Sequence, residues 1–529
     1  MPTTLTENSS DGHSFAYHTA RTMMTDGLVA LSFANVCLAG AWFPILYDND
    51  RGYFNKFRLD SSNLLALLTN LVGLSFLAWF AMQIRRHFRN PLGHFVLHLA
   101  FFSTFLIPLD FCRQYMFKLS GTTVIANLTR HYGAAVALLL LVVALWQNRR
   151  VAHALVVGVG ILTPLALFNA TKIFLLLLGV EHLAQYAATP SLAPLFQLQP
   201  DGPRVIWIIF DELDQRLAFE QRSPNLRLPE FDRFRAESLS ATNAFAPGDS
   251  TRLSMPGLIS GHLLSDVHPT SASELKVTLA NNGAETNLSE LPSVFRAARN
   301  LGFNTALVGW YHPYDRLFGR DLNYCAWFAF PMYDPVSAPT FTQALSRQIA
   351  CIAGLLNQRR LFIDICRNGL SASEEIVTNT AYRLTFLHLA PPHKPWVYVP
   401  TKDTFTVFGS ARPPGYLSNL ILADNYLGQL RRAMEAHGLW DRTWVIVTTD
   451  HSWRESQRYD GKRDLHVPFL IKIAGSNLPV VYPQQVNTVL TYDLVLSVLR
   501  GQISGQQELA KWLDAHRIRE ATVHDTEPD

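Results

Sequence analysis

Cysteine and charge are both scarce in this chain. Five cysteines among 529 residues, an odd number with no CxxC pair, exclude a zinc ribbon or a dithiol redox motif. Cys37 and Cys112 lie in apolar N-terminal sequence, so Cys325, Cys351 and Cys366 leave room for one disulfide in an oxidising compartment. Charged residues are 16% of the chain and the formal net charge is +3, too little for a polyanion-binding protein; no nucleic-acid partner is expected. Internal repeats and low-complexity tracts are absent. The first 26 residues are polar and the first apolar run is membrane-length, so no cleavable signal peptide is expected.

Apolar sequence, by contrast, is plentiful, at 48% of the chain, and it changes character near residue 200. After the polar tail 1–26 come five apolar segments, Gly27–Tyr47, Asn63–Gln83, His94–Leu109, His131–Gln147 and Ala154–Ala170. A membrane span needs roughly 20 apolar residues, so 27–180 is expected to be a five-helix transmembrane region. Arg85, Arg86 and Arg89 follow the second segment, and Arg149 and Arg150 follow the fourth. The positive-inside rule makes both loops cytoplasmic. Five spans then place the N-terminus in the cytoplasm and everything after the fifth outside it. Pro190, Pro194 and Pro200 mark a linker over 181–202.

Beyond the linker, short β-branched runs alternate with helical ones. Strands are expected at Arg204–Phe210, Thr305–Gly309, Thr385–Leu389, Trp444–Thr449 and Phe469–Ile473, and a helix at Leu291–Asn300. Leu417, Leu420, Ile421, Leu427, Leu430 and Met434 repeat at helical spacing, with Gly438 as the stop. This pattern predicts an α/β domain over 203–515, its mostly parallel sheet flanked by helices, and then a tail, 516–529, without fixed structure.

In such sheets ligands bind beyond the carboxyl ends of the strands. Asp211 and Glu212 end one strand here and Asp450 and His451 another; His388 closes a third, which leads into His393 and Lys394, and His466 precedes a fourth. Mixed oxygen and imidazole donors suit zinc or manganese better than calcium. Each residue also has an ordinary reading, a helix cap for Asp211 or a hydrogen-bonded structural residue for His466. The segment Asp249–Gly261 reads as a hydroxyl nucleophile at the start of a helix, where free N–H groups favour an anion. Thr251, Ser250 and Ser254 all offer hydroxyls there.

Taken together, VIWIIFDEL, TRLSMPGLISG, WVIVTTDHS and LHVPFLIKIAG, in that order over about 203–505, resemble the alkaline phosphatase and sulfatase superfamily. Apolar spans ahead of such a domain most resemble its membrane-bound phosphoethanolamine transferases. The resemblance implies Thr251 as the nucleophile and Asp211, Thr251, Asp450 and His451 as ligands of one zinc or manganese. It implies that His393 and His466 act on donor or leaving group, or hold a second metal. Glu212, Arg252, His312, His388 and Lys394 are expected near substrate. Thr251 is followed by Arg-Leu-Ser, which departs from the element that sulfatases oxidise to formylglycine, and no cysteines flank the helix as they do in the lipid A transferases. The expected activity moves a substituted phosphate from a membrane lipid donor to a glycolipid or glycan, through phospho-threonine, on the outer side of a bacterial inner membrane. A sulfatase-like hydrolase or phosphodiesterase using the same site, and a non-catalytic scaffold, are the alternatives.

Overall fold

The computed structural model describes residues 10–47, 52–87, 93, 156–180, 190–197, 202–408, 414–518, 520 and 522–524. The chain divides into two compact units. One comprises 1–49, 57–184 and 335–357; the other comprises 50–56, 185–334 and 358–529.

The first unit contains α1 (Ser10–Cys37), α2 (Ala39–Leu46), α3 (Ser61–His87) and α4 (Thr163–Leu177). Polar groups on these apolar helices satisfy one another: Asn169 donates to Asn35 at 2.9 Å and accepts from Tyr47 at 2.5 Å. A later helix, Phe341–Ala350, joins this unit, where Gln348 donates to the Asn63 carbonyl and accepts from Asn70. Among the described residues one helix, Ser61–Ile84, is long and apolar enough to cross a membrane. Met23–Cys37 with Ala39–Leu46, bent by 74°, counts as a second if the pair is one broken span. Of the three expected spans that fall among the described residues, one or two are long and apolar enough. The fifth appears as the 15-residue α4, too short by itself, and His94–Leu109 and His131–Gln147 lie outside the described residues.

The second unit carries the expected α/β fold. Its eight strands are β1 (Val205–Phe210), β2 (Leu239–Ala241), β3 (Thr305–Trp310), β4 (Tyr324–Phe328), β5 (Leu384–Leu389), β6 (Trp444–Thr448), β7 (Phe469–Lys472) and β8 (Val480–Tyr482). They lie in the order β8-β2-β7-β6-β1-β5-β3-β4. Only β7 runs antiparallel to its neighbours. The central strands β1, β3, β5 and β6 are buried along their whole length. That explains why their sequences are continuously apolar rather than alternating. β1 lies between β5 and β6, so Asp211, His388 and Asp450 emerge close together at one sheet edge. A three-stranded antiparallel sheet, Leu264–Ser271, Glu274–Leu279 and Glu285–Asn287, was not expected.

The tail expectation is corrected for residues 522–524. The Val523 N–H donates to the Pro247 carbonyl and the Asp249 N–H to the Val523 carbonyl, both at 3.1 Å. Residues 522–524 thus lie beside the loop that precedes Thr251, because their backbone groups complete its hydrogen bonding. The linker expectation also changes: Ala193 donates to the Leu322 carbonyl at 2.8 Å, and Asn304 holds both backbone groups of Phe196.

Candidate active site

Thr251 is the first residue of α5 (Thr251–Ser260). Ser250 is that helix's N-cap, its hydroxyl accepting from the Leu253 N–H, and the Ser254 hydroxyl is bonded to both backbone groups of Gly248. Both rival hydroxyls are therefore committed to local structure, which leaves Thr251. Its Oγ1 lies 2.7 Å from Asp450 Oδ2, 3.3 Å from Asp211 Oδ2 and 3.3 Å from His451 Nε2. Asp211 and Asp450 are fully buried, and Thr251 and His451 nearly so.

These residues fit a metal ion. Among the described residues, Asp211, Asp450 and His451 offer ligand atoms all within 4.8 Å of one another. The spacings of 3.3–3.4 Å for Thr251–Asp211, Thr251–His451 and His451–Asp450 match the edge of a tetrahedron, which is about 3.3 Å for ligand bonds near 2.0–2.1 Å. His451 Nδ1 faces the Ser452 carbonyl at 2.9 Å, so Nδ1 carries the hydrogen and Nε2 turns a lone pair inward. Asp450 Oδ1 accepts from the N–H groups of Glu212 and His451 and from the Thr449 hydroxyl, leaving Oδ2 toward the centre. Asp211 Oδ1 is buried with no hydrogen-bond partner. Burial, then Asp450 and Glu212, push the Asp211 carboxyl well above its ordinary range. Asp450 is held below its own: burial opposes this, but His451, His388 and the Thr251 hydroxyl outweigh it. Two buried carboxylates facing one hydroxyl are mutually repulsive until a cation lies between them.

The backbone is strained where it turns these groups inward. Glu212 has φ +63°, a conformation costing a non-glycine residue about 1–2 kcal/mol. It is held there by the Asp450 contact and by Tyr416, whose hydroxyl donates to the Glu212 carbonyl at 2.8 Å. Its carboxylate lies 3.5 Å from Arg454. Burial raises its pKa, but His393, Arg454, His451 and Lys394 more than offset that, so it stays ionised. Lys394 pairs with Glu455 at 3.0 Å. His393 is buried against Trp310, and burial takes its pKa down to about 4, so it is neutral at ordinary pH. Arg252 is partly buried on the first turn of α5.

Two residues expected near substrate, His388 and His312, lie against Asp211 and Thr251. His388 sits with Nε2 3.4 Å from Asp211 Oδ2 and Nδ1 2.9 Å from the Tyr314 hydroxyl. His312 lies between Tyr53 and the Thr251 carbonyl. Both rings are buried, with pKa values lowered to about 4 and about 3, chiefly by desolvation. A sequence reading misses Tyr53 and Tyr314, since neither belongs to a motif of known chemistry. Gly309 is the one available hint for Tyr314: a Cβ there would lie 2.6 Å from the tyrosine ring.

His466 is hydrogen-bonded to Asp464 at 2.6 Å and to Asn243 at 3.1 Å. Asp464 raises its pKa above the ordinary 6.5. A histidine so raised contributes stability that is complete below 6.5 and is lost as pH rises through the higher folded value. His466→Gln should therefore cost more stability at pH 6 than at pH 9, as thermal denaturation at the two pH values will show. Cys37, Cys325, Cys351 and Cys366 are all free thiols.

The family model described as Sulfatase matches residues 203–500. No curated protein matches the chain. Three of the similar solved structures are Ps i-CgsB in complex with k-i-k-neocarrahexaose, an alkaline phosphatase superfamily protein from Vibrio parahaemolyticus and the phosphonate monoester hydrolase of Agrobacterium radiobacter. The first is 14% identical over 61% of this chain and 75% of that one, with a TM-score of 0.42. For the second the values are 14%, 60%, 72% and 0.37, and for the third 14%, 56%, 74% and 0.38. At these scores the assignment rests on the family model, which spans more than half of the sequence and contains Asp211, Thr251, Asp450 and His451. The chain belongs to the Sulfatase family.

Proposed function

We propose that this protein is a metal-dependent phosphoryl-group transferase, moving a substituted phosphate such as phosphoethanolamine from a membrane lipid to a hydroxyl of a glycolipid or glycan. The observation that supports it most is the Thr251 hydroxyl at 2.7–3.3 Å from two carboxylates and an imidazole. Zinc or manganese held by Asp211, Thr251, Asp450 and His451 would supply Lewis acidity that lowers the hydroxyl pKa at neutral pH. Thr251 already directs its hydrogen at Asp450, which orients an oxygen lone pair for attack on phosphorus. A bond from Oγ1 to phosphorus forms as the bond to the lipid oxygen breaks, the threonine proton passing by way of Asp450 to that oxygen, which leaves as the lipid alcohol. An acceptor hydroxyl then attacks phosphorus as the Oγ1–phosphorus bond breaks, and its proton returns to Thr251 by the same route.

Thr251 favours phosphoryl over formylglycine-type sulfuryl chemistry, since its side chain cannot be oxidised to that aldehyde. The apolar helix Ser61–Ile84 supports a lipid donor, because it would hold the catalytic unit where such lipids lie. Hydrolysis is the second reading, with water as the acceptor. Incubating the protein with a headgroup-labelled phospholipid, followed by peptide mass spectrometry, is expected to find the adduct on the peptide containing Thr251. Label that persists on the Thr251→Ala protein would refute the assignment. Adding a glycolipid acceptor separates the two readings, since transfer moves the label to it and hydrolysis releases the label free.

A further inference from the structure

Two tyrosine–histidine pairs stand behind the site, and one of them begins in a segment far from it in sequence. Residues 50–56 follow the first apolar segment, yet belong to the catalytic unit. Arg316 donates to the carbonyls of Tyr53 and Asn55, Lys56 donates to the Trp327 carbonyl at 2.6 Å, and Phe54 packs on Tyr333 with ring centres 4.5 Å apart. Asp334 accepts from the Lys56 N–H at 2.8 Å. So anchored, Tyr53 is 1% exposed and places its hydroxyl 2.9 Å from His312 Nδ1. The opposite ring nitrogen, Nε2, lies 3.3 Å from the Thr251 carbonyl oxygen.

The direction of these bonds follows from their chemistry. A carbonyl can only accept, so His312 Nε2 carries the hydrogen. In a neutral ring Nδ1 is then the acceptor, and Tyr53 must donate. Tyr311, at φ +73°, makes the turn that aims His312 this way; few residues tolerate that conformation without support. The relay ends on the peptide of the residue whose hydroxyl must sit among three ligands, and such geometry has to be held to about half an ångström.

We infer that Tyr53 and His312 are positioning residues for Thr251, and that segment 52–56 is a working part of the catalytic centre. This rests on Thr251 being the nucleophile. The test uses the full-length protein, metal loaded, with bis(p-nitrophenyl) phosphate as the probe. Tyr53→Phe should lower kcat about 3- to 10-fold, the range for one lost hydrogen bond, with KM and bound metal unchanged. His312→Ala should lower it further. His312→Gln, which keeps a donor near the Nε2 position, should restore part of the loss. In the His312→Ala background Tyr53→Phe should have no added effect, as expected of residues acting in series. Independent effects that multiply, or a Tyr53→Phe protein with wild-type kcat, would overturn the relay. If the wild-type protein turns over no phosphodiester, the functional reading fails, and 15N NMR of labelled histidine then decides the relay. A His312 ring held in the Nε2–H form and released by Tyr53→Phe supports it; a ring indifferent to that substitution overturns it.

Discussion

Alanine at position 251 is expected to lower kcat by at least about a thousandfold, the scale seen when a covalent nucleophile is removed. Serine, which keeps the hydroxyl, should retain measurable turnover. The expected size follows from what the residue does. Its hydroxyl has the two carboxylates and the imidazole around it, and neither Ser250 nor Ser254 is free to replace it. The γ-methyl of threonine fixes χ1 by β-branching, so serine should lose activity through a less well-held hydroxyl rather than through lost chemistry. Circular dichroism should find both variants folded, because Ser250 still caps the helix. An alanine variant with near-normal turnover would move the nucleophile elsewhere.

The metal ligands should separate binding from stability in opposite directions. Asp450→Asn is expected to weaken metal binding at least about a hundredfold, beyond what loss of an outer partner costs, and to destabilise the fold, since the folded protein favours the ionised carboxylate and the amide group replacing Oδ2 cannot accept from Thr251. Asp211→Asn should also lose the metal, yet raise the melting temperature of the chelated, metal-free protein. The sign follows from its raised pKa. A buried carboxyl shifted upward contributes stability that is complete below its unfolded value and is lost as pH rises, so at pH 7.5, well above that value, the titratable group opposes folding. Asparagine carries no such charge. Melting curves with and without chelator, beside metal analysis by mass spectrometry, will check both signs.

Much of the catalytic unit is legible in the sequence because its signals are local. Continuous apolar runs mark β1, β5 and β6, and the polar residues directly after β1 and β6 are the ones that converge. Gly261, at φ +74° after α5, closes that helix where its glycine predicts. What escapes is set by long-range contacts. Tyr53 and His312 are 259 positions apart, and nothing in either neighbourhood announces the other. The helix Phe341–Ala350 joins the first unit through Asn63, Asn70 and Gln348, residues that could equally face solvent. The two residues that hold the His466 ring differ in the same way: Asp464 is two residues earlier, whereas Asn243 is 223 positions away. Among the described residues the apolar segments overstate the spans because hydropathy does not see where helices break; α1 and α2 meet at a sharp bend, and α4 is 15 residues long.

Anomalous X-ray scattering at the zinc and manganese edges, from crystals of protein purified without chelator, tests the metal centre most directly. The predicted result is a peak within about 2.0–2.3 Å of oxygens of Asp211, Thr251 and Asp450 and of His451 Nε2. Metal found only elsewhere, for instance at His466, with these four side chains bonded to one another, would contradict it.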